Sequence, residues 1–179
     1  MSDLTRLASL TTVADCQALL EIEPLLVPTN ADLVEILIRA TQQPSTGLIG
    51  VVDPAGRLVG VIPVTRVAES IVARVVPVSL FIDVADSASA AQFSHSLEDR
   101  VAADIMLSPA TTLASDTIGA AFRQMHQRRF GGLYVVDGAG VPTGYLDLLE
   151  LALVYARALA AAPAPLDPGV ASPPNRPTR

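Results

Sequence analysis

The sequence predicts a mixed α+β fold in which one β-α-β-β-α unit occurs twice. Two observations lead to this prediction. The 179-residue chain is 50% hydrophobic and only 17% charged, a composition that excludes disorder along its whole length. Residues 51–62 (VVDPAGRLVGVI) also align without a gap to residues 135–146 (VVDGAGVPTGYL), at a spacing of 84 residues. Such self-similarity indicates two copies of one structural unit.

Each aligned segment is predicted to form a β-hairpin. Asp-Pro-Ala-Gly in the first copy and Asp-Gly-Ala-Gly in the second supply turn residues, and Val, Ile and Leu flank both turns. Upstream, residues 24–27 and 109–113 are predicted to be short extended segments, which become the first strand of each unit.

A helix is predicted between the first strand and the hairpin of each copy. Thr29-Asn30 and Ser115-Asp116 are expected to cap these helices, because small polar side chains accept hydrogen bonds from free amides at a helix start. A second helix is predicted after each hairpin, over residues 64–73 and 148–161.

These patterns divide the chain into four parts. Residues 1–73 are the first repeat with an N-terminal helix, and residues 101–162 are the second repeat. An inter-repeat segment, 74–100, is predicted to be helical in its second half and to serve a partner or dimer contact. Residues 163–179 hold six of the fourteen prolines and are expected to be a disordered tail.

Composition excludes several classes of function. All twelve basic residues are Arg, which rules out lysine-based catalysis, and a net charge of −6 argues against nucleic-acid binding. A single cysteine, Cys16, permits no internal disulfide and is expected to be buried and inert. With no signal peptide and no apolar run of membrane-spanning length, we expect a cytoplasmic protein without direct membrane insertion.

At this point the chain resembles a tandem pair of CBS domains, the modules named after cystathionine β-synthase. Residues 103–150 resemble a complete copy, and residues 14–70 follow the same order with more divergence. The resemblance implies two sheets packed about a pseudo-two-fold axis and assembly into a homodimer. It also implies a regulatory, non-catalytic module without a required cofactor. Such modules bind AMP, ADP, ATP or S-adenosylmethionine between the copies and control an enzyme or transporter, here expected to be a separate protein.

The family closes each copy with Gly-apolar-apolar-Thr/Ser-x-x-Asp, in which the Asp holds a ribose and the hydroxyl meets a phosphate. In the first copy Pro63 and Arg66 replace these groups, so Arg66 is either a phosphate contact or an ordinary surface arginine. In the second copy Glu150 keeps a carboxylate for the ribose. Asp147 takes the hydroxyl position, where it would repel a phosphate and also suits a helix N-cap.

The resemblance also implies which residues contact the adenine. These lie on the first strand and at the start of the hairpin of the second copy: Thr111, Thr112, Gly132, Leu133 and Tyr134. For Leu133 the competing interpretation is a core residue. Tyr134, at a position where many family members carry proline, would either stack on a base or fill an empty cleft.

Two functions therefore compete. The first is a sensing module that binds an adenosine-type ligand, chiefly in the second copy. The second is a structural or protein-docking module whose nucleotide sites are degenerate. An enzyme is not expected, because Asp147 and Glu150 form the only candidate acid–base pair and no nucleophile or metal motif accompanies them. The basic run His126 to Arg129 is interpreted as the exposed end of a helix.

Overall fold

The computed structural model describes residues 11–17, 22–43, 46–75 and 99–161. It contains the predicted β-α-β-β-α unit twice, which confirms the mixed α+β fold. The predictions for the tail and for most of the inter-repeat segment lie outside the described residues. The elements are, in chain order, α1 (Val13–Gln17), β1 (Leu26–Pro28), α2 (Leu33–Gln42), β2 (Leu48–Val52), β3 (Leu58–Pro63), α3 (Val64–Val75), α4 (Ala102–Ile105), β4 (Thr111–Leu113), α5 (Ile118–Arg128), β5 (Gly132–Val136), β6 (Pro142–Asp147) and α6 (Leu148–Ala161).

Each repeat forms its own three-stranded sheet with the same topology. β1 pairs with β2 in parallel and β2 pairs with β3 in antiparallel orientation, and β4, β5 and β6 repeat this arrangement. Both hairpins carry a register irregularity at the same place, between Val51 and Val52 and between Val135 and Val136. The two sheets are therefore pseudo-symmetric down to the detail of strand register.

The hairpin turns explain why the two aligned segments fold alike. The Asp53 carboxylate accepts hydrogen bonds from two backbone amides of its turn, at 2.9 and 3.0 Å, and Asp137 does the same at 2.9 and 2.9 Å. Gly56 and Gly140 follow with φ of 79° and 83°, in the left-handed region that favours glycine. Asp and Gly thus fix both turns, as the sequence predicts.

The predicted helix caps are wrong. Asp32 caps α2, and Thr117 caps α5, each by accepting backbone amide hydrogen bonds. Residues 29 and 30 form a turn before the helix instead. Asp116 is unavailable as a cap because its carboxylate accepts hydrogen bonds from the backbone and a side chain of β4, at 2.8 and 2.9 Å. Each cap therefore lies later in the chain than the sequence pattern indicated.

The segment that precedes each repeat packs against the other repeat. In α1 the Val13 amide donates to the Asp116 carbonyl oxygen of the second repeat at 2.8 Å. In α4 the Ala102 amide donates to the Ala31 carbonyl oxygen of the first repeat at 2.9 Å. The packing thus crosses the boundaries at residues 73 and 100 that the sequence suggested, and this reciprocal exchange ties the two repeats together.

The core consists of two clusters of buried side chains. One is formed by the first repeat together with Ala102 and Ile105 from α4. The other centres on the second repeat and also takes in Val13 and Leu48 from the first part of the chain. Among the residues that the structure describes, Tyr134 and Tyr145 are the largest fully buried side chains. No helix among the described residues is both long enough and apolar enough to cross a bilayer.

Candidate functional site

The structure brings six of the eight predicted ligand residues together in the sheet of the second repeat. The backbone pairs Thr111 with Tyr134 and Gly132 with Asp147 across this sheet. Glu150 follows in the first turn of α6, and its side chain is not among those that the structure describes. Arg66 lies in the first turn of α3 in the first repeat. The six residues on the sheet are Thr111, Thr112, Gly132, Leu133, Tyr134 and Asp147.

The two threonines of β4 differ in what their hydroxyls do. Thr112 is buried, and its Oγ1 donates to the Asp116 carboxylate at 2.9 Å, which fixes the turn after the strand. Thr111, the preceding residue of β4, is half-buried. Leu133 is fully buried, in agreement with its interpretation as a core residue. Of the three side chains, Thr111 is the one whose exposure suits contact with a ligand.

Asp147 acts as the helix cap that its position suggested. It is the last residue of β6, its side chain is 9% exposed, and its Oδ1 accepts a hydrogen bond from the Leu149 amide at 2.8 Å. This contact stabilises the start of α6. Asp147 pairs with Gly132 across β5 and β6, so its carboxylate lies beside the start of β5.

Tyr134 reaches across from the second repeat to the first. Its hydroxyl lies 2.8 Å from the Leu25 carbonyl oxygen and 2.9 Å from that of Leu48, so one proton is shared between two acceptors. The side chain has no exposed area. Burial raises the pKa of this phenol, which therefore remains protonated and able to donate. Of its two sequence-based interpretations, the geometry agrees with a ring that fills the space between the sheets.

The contact that Tyr134 makes with the first repeat has no pseudo-symmetric counterpart made by the first repeat with the second. The residue 84 positions before Tyr134 is Gly50, which has no side chain to offer the second repeat. A Cβ on Gly50 would lie 2.7 Å from the Tyr134 ring, so a larger residue there would displace the tyrosine. The strands of the first repeat are thus covered by a side chain from the second, and the reverse contact is missing.

Tyr145 is a residue of this region that the sequence did not single out. Its ring packs edge-on against Tyr134, with centroids 5.2 Å apart and planes inclined at 62°. Its hydroxyl lies over Gly132 so closely that a Cβ there would collide with it. This buried hydroxyl has no hydrogen-bond partner within the described part of the chain. The sequence signal that could have identified Tyr145 is a tyrosine within a buried strand.

Arg66 is separated from the other predicted residues by its place in the fold. It is half-exposed on α3, a helix that packs against α2 and β3 of the first repeat. Counting forward 84 residues leads to Glu150, so the pseudo-symmetric positions carry opposite charges. Within the described part of the chain, no group of three or more His, Cys, Asp or Glu side chains is placed to hold a metal ion.

Comparisons with known proteins agree with this architecture. The CBS domain family model matches residues 101–157, which run from the start of the second repeat into α6. No curated protein matches the chain in sequence. Solved structures extend the match over both repeats. A CBS domain-containing protein from Thermotoga maritima is 25% identical with a TM-score of 0.64, covering 82% of this chain and 95% of that one.

Two further structures have the same fold at lower identity. The CBS domain pair of protein MJ0100, solved with 5′-methylthioadenosine and S-adenosyl-L-methionine, is 16% identical with a TM-score of 0.61, covering 83% of this chain and 98% of that one. The CBS domain of a bacterial CNNM/CorC family Mg2+ transporter is 16% identical with a TM-score of 0.54, covering 83% and 76%. The second repeat is therefore a CBS domain, and the chain has the fold of a CBS-domain pair.

Proposed function

We propose that the chain is a regulatory module that binds one adenosine-type ligand on its second repeat and thereby controls a separate effector protein. AMP, ADP, ATP and S-adenosylmethionine are the ligands to test, and an enzyme or a transporter is the effector. The module acts in the cytoplasm, by binding and not by catalysis. Its similarity to a CBS-domain pair solved with two adenosine compounds supports the ligand class. Its similarity to part of a transporter supports that class of effector.

The asymmetry between the two repeats carries this proposal. In the first repeat the Tyr134 hydroxyl already occupies the Leu25 and Leu48 carbonyl oxygens, and the family's ribose carboxylate is replaced by Arg66. No matching side chain reaches the second repeat, because the first-repeat position that corresponds to Tyr134 is Gly50, and Glu150 retains a carboxylate there. A ligand therefore finds its donors and acceptors on the second repeat and meets a tyrosine on the first.

Charge further narrows the ligand class. Asp147 lies at the end of β6, and the sequence places Glu150 three residues later. A carboxylate a few ångströms from a phosphate is repelled by about 1–4 kcal/mol, depending on screening. Neutral or cationic compounds such as adenosine and S-adenosylmethionine escape this repulsion, and ATP escapes it when Mg2+ bridges the charges. We therefore expect the order S-adenosylmethionine above AMP above Mg2+-free ATP.

Thermal unfolding against this ligand panel tests the proposal. A ligand at about 100 times its dissociation constant stabilises the folded chain by about 2.7 kcal/mol, which raises Tm by about 5–10 °C at this chain length. Glu150→Ala removes the acceptor oxygens that would hold the ribose hydroxyls and should abolish the shift. Glu69→Ala, which changes an exposed glutamate on α3 of the first repeat, is the matched control and should retain it.

A second function is favoured by a different set of contacts. The Thr112 hydroxyl is engaged by Asp116, the Asp147 carboxylate by the Leu149 amide and the Tyr134 hydroxyl by two carbonyl oxygens. Groups engaged within the chain are not available to a ligand, as expected of a docking module whose nucleotide sites are degenerate. That function predicts no Tm shift with any member of the panel at millimolar concentration, while assembly and partner binding persist.

Assembly into a homodimer belongs to the same proposal. Apolar side chains stand exposed at helical spacing on two helices, among them Ile38 at 54% exposure on α2 and Leu149 at 79% on α6. Val34 and Leu153 lie one turn from these residues and are also exposed. Such faces are costly to leave in water and are typical of contacts between subunits. Light scattering after size-exclusion chromatography gives the mass that tests this expectation.

A further inference from the structure

The two helices that flank the hairpin of each repeat form one exposed face. α2 and α3 pack against each other in the first repeat, and in the second repeat the Phe122 ring of α5 lies edge-on to the Tyr155 ring of α6, with centroids 6.1 Å apart. We call the outward sides of these helix pairs the first face and the second face. Large apolar side chains exposed on such faces are typical of contacts between subunits. They are Val34, Ile38, Val72 and Val75 on the first face and Leu149 and Leu153 on the second.

Equivalent positions of the two faces carry different chemistry. Ile38 lies six residues after the cap of α2, and the same position after the cap of α5 is Arg123. Glu69 is the sixth residue of α3, and the sixth residue of α6 is Leu153. All four side chains are exposed. From the first face to the second, an apolar residue is thus replaced by a cation on one helix, and an acid by an apolar residue on the other.

The exposed charged side chains of the two faces also differ in sign. On α2 and α3 they are Glu35 and Glu69, whereas the arginines of these two helices are half-buried. On α5 they include Arg123 and Arg128, and this helix contains no Asp or Glu. α6 contributes one Glu and one Arg, which balance in charge. Among the described residues neither Glu69 nor Arg123 forms an ion pair, so both charges are available to a partner.

Two-fold symmetry allows each face to pack either on its own copy or on the other face of a second chain. Packing of like faces sets Glu69 against a second Glu69 or against Ile38, depending on which helices lie opposite each other. It likewise sets Arg123 against a second Arg123 or against Leu153. In every case a charge meets a like charge or is desolvated by an apolar neighbour, and both contacts are unfavourable.

Packing of unlike faces removes these conflicts. When α2 lies on α6 of the second copy, the exposed valine and isoleucine of α2 meet the two exposed leucines of α6. α3 then lies on α5, where Glu69 meets Arg123. We propose that the chain forms a head-to-tail homodimer in which the first face of each copy packs in this way on the second face of the other. This arrangement rests on the homodimer proposed above and specifies its contact, which the symmetry forms twice.

Crosslinking between introduced cysteines tests which faces meet. Ile38→Cys and Leu153→Cys are expressed together and treated with a short bismaleimide, and covalent dimers are quantified on a denaturing gel. The co-expressed pair should form them, and neither variant should do so alone. Cys16 is buried, so the wild-type chain should not crosslink. Ala55→Cys, at an exposed residue of the first hairpin turn, takes the place of Ile38→Cys in the matched control and should not crosslink with Leu153→Cys.

The outcomes separate this arrangement from dimerisation itself. If Ile38→Cys crosslinks with itself, or if the co-expressed pair gives no crosslink while light scattering gives the mass of a dimer, the head-to-tail contact is overturned and the homodimer stands. A monomer mass would overturn the homodimer and this contact together. The ligand proposal depends on neither result, because its test is the Tm shift.

Charge reversal gives an independent readout of the same contact. Glu69→Arg places a cation against Arg123 of the second copy in both symmetric contacts, and it should weaken the dimer about tenfold in analytical ultracentrifugation. Arg123→Glu alone should have a similar effect. The double variant Glu69→Arg/Arg123→Glu restores opposite charges and should recover the affinity to within about threefold. Single variants with unchanged affinity, or a double variant as weak as the single ones, would overturn the proposal.

Discussion

Removal of the Tyr134 hydroxyl tests the contact that distinguishes the two repeats. Tyr134→Phe keeps the buried ring and its edge-on packing against Tyr145, so the substitution creates no cavity beyond one oxygen atom. It removes the donor that serves the Leu25 and Leu48 carbonyl oxygens at 2.8 and 2.9 Å. The Gly50 amide still donates to Leu25 at 2.9 Å, so the loss falls mainly on Leu48.

The expected loss follows from the cost of a buried acceptor that loses a donor, about 1–3 kcal/mol. For a chain of this length each kcal/mol lowers Tm by about 2–4 °C, so a loss of about 2 kcal/mol lowers it by about 4–8 °C. Urea unfolding followed by circular dichroism measures the free energy directly. The m-value should not change, because the surface exposed on unfolding is the same.

Tyr145→Phe is the control for this experiment. It removes a hydroxyl that is equally buried but has no hydrogen-bond partner. Deleting an unsatisfied buried polar group is neutral or stabilising, so this variant should unfold at an equal or higher urea concentration. If Tyr134→Phe unfolds within about 0.5 kcal/mol of wild type, or if both variants lose the same free energy, then the Tyr134 contact does not hold the repeats together.

Three further predictions address titration, sterics and assembly. Burial raises the pKa of Tyr134 and Tyr145 above the usual 10, so their contribution to stability is complete below pH 10 and is lost as the pH rises beyond it. In urea titrations across this range, the free energy of unfolding should decrease by up to about 1.4 kcal/mol per pH unit for each tyrosine. Tyr145→Phe keeps one of the two tyrosines, so its free energy of unfolding should decrease half as steeply as that of wild type. Gly132→Ala places a Cβ against the Tyr145 hydroxyl and should cost over about 2 kcal/mol in calorimetry, whereas Gly131→Ala, with nothing within 4 Å of its Cβ, should cost less than about 0.5 kcal/mol. Leu149→Glu should lower the mass measured by light scattering from dimer to monomer without lowering Tm, and an unchanged mass would exclude this face from the dimer contact.

The repeated fold could be predicted because its signals are local. Each turn, with Asp and Gly at matched positions, lies within a dozen residues of the apolar runs that flank it, and this pattern occurs twice at a spacing of 84 residues. The structure places Asp53 and Asp137 in the same hydrogen-bonding role, and the helix after each hairpin begins at Val64 and Leu148 as expected. The cap of α5 differs from the prediction because the Asp116 carboxylate instead serves an equally local competitor, the turn after β4.

The reciprocal exchange of α1 and α4 could not be predicted in the same way. The hydrogen bond from Val13 to Asp116 joins residues about a hundred positions apart, and nothing in either segment encodes its partner. The role of Tyr134 was hidden for the same reason. Its two acceptors lie 109 and 86 residues earlier in the chain, so only the folded pair reveals that a side chain of one repeat completes the strands of the other.

Isothermal titration of the adenosine compound that gives the largest Tm shift tests the central claim most directly, because it reports stoichiometry as well as affinity. The account predicts one ligand per chain, loss of binding in Glu150→Ala and retention in Arg66→Gln. Two ligands per chain would contradict the claim that Tyr134 occupies the first repeat. Loss of binding in Arg66→Gln alone would move the site to the first repeat, and the absence of heat with every compound would leave the docking function in its place.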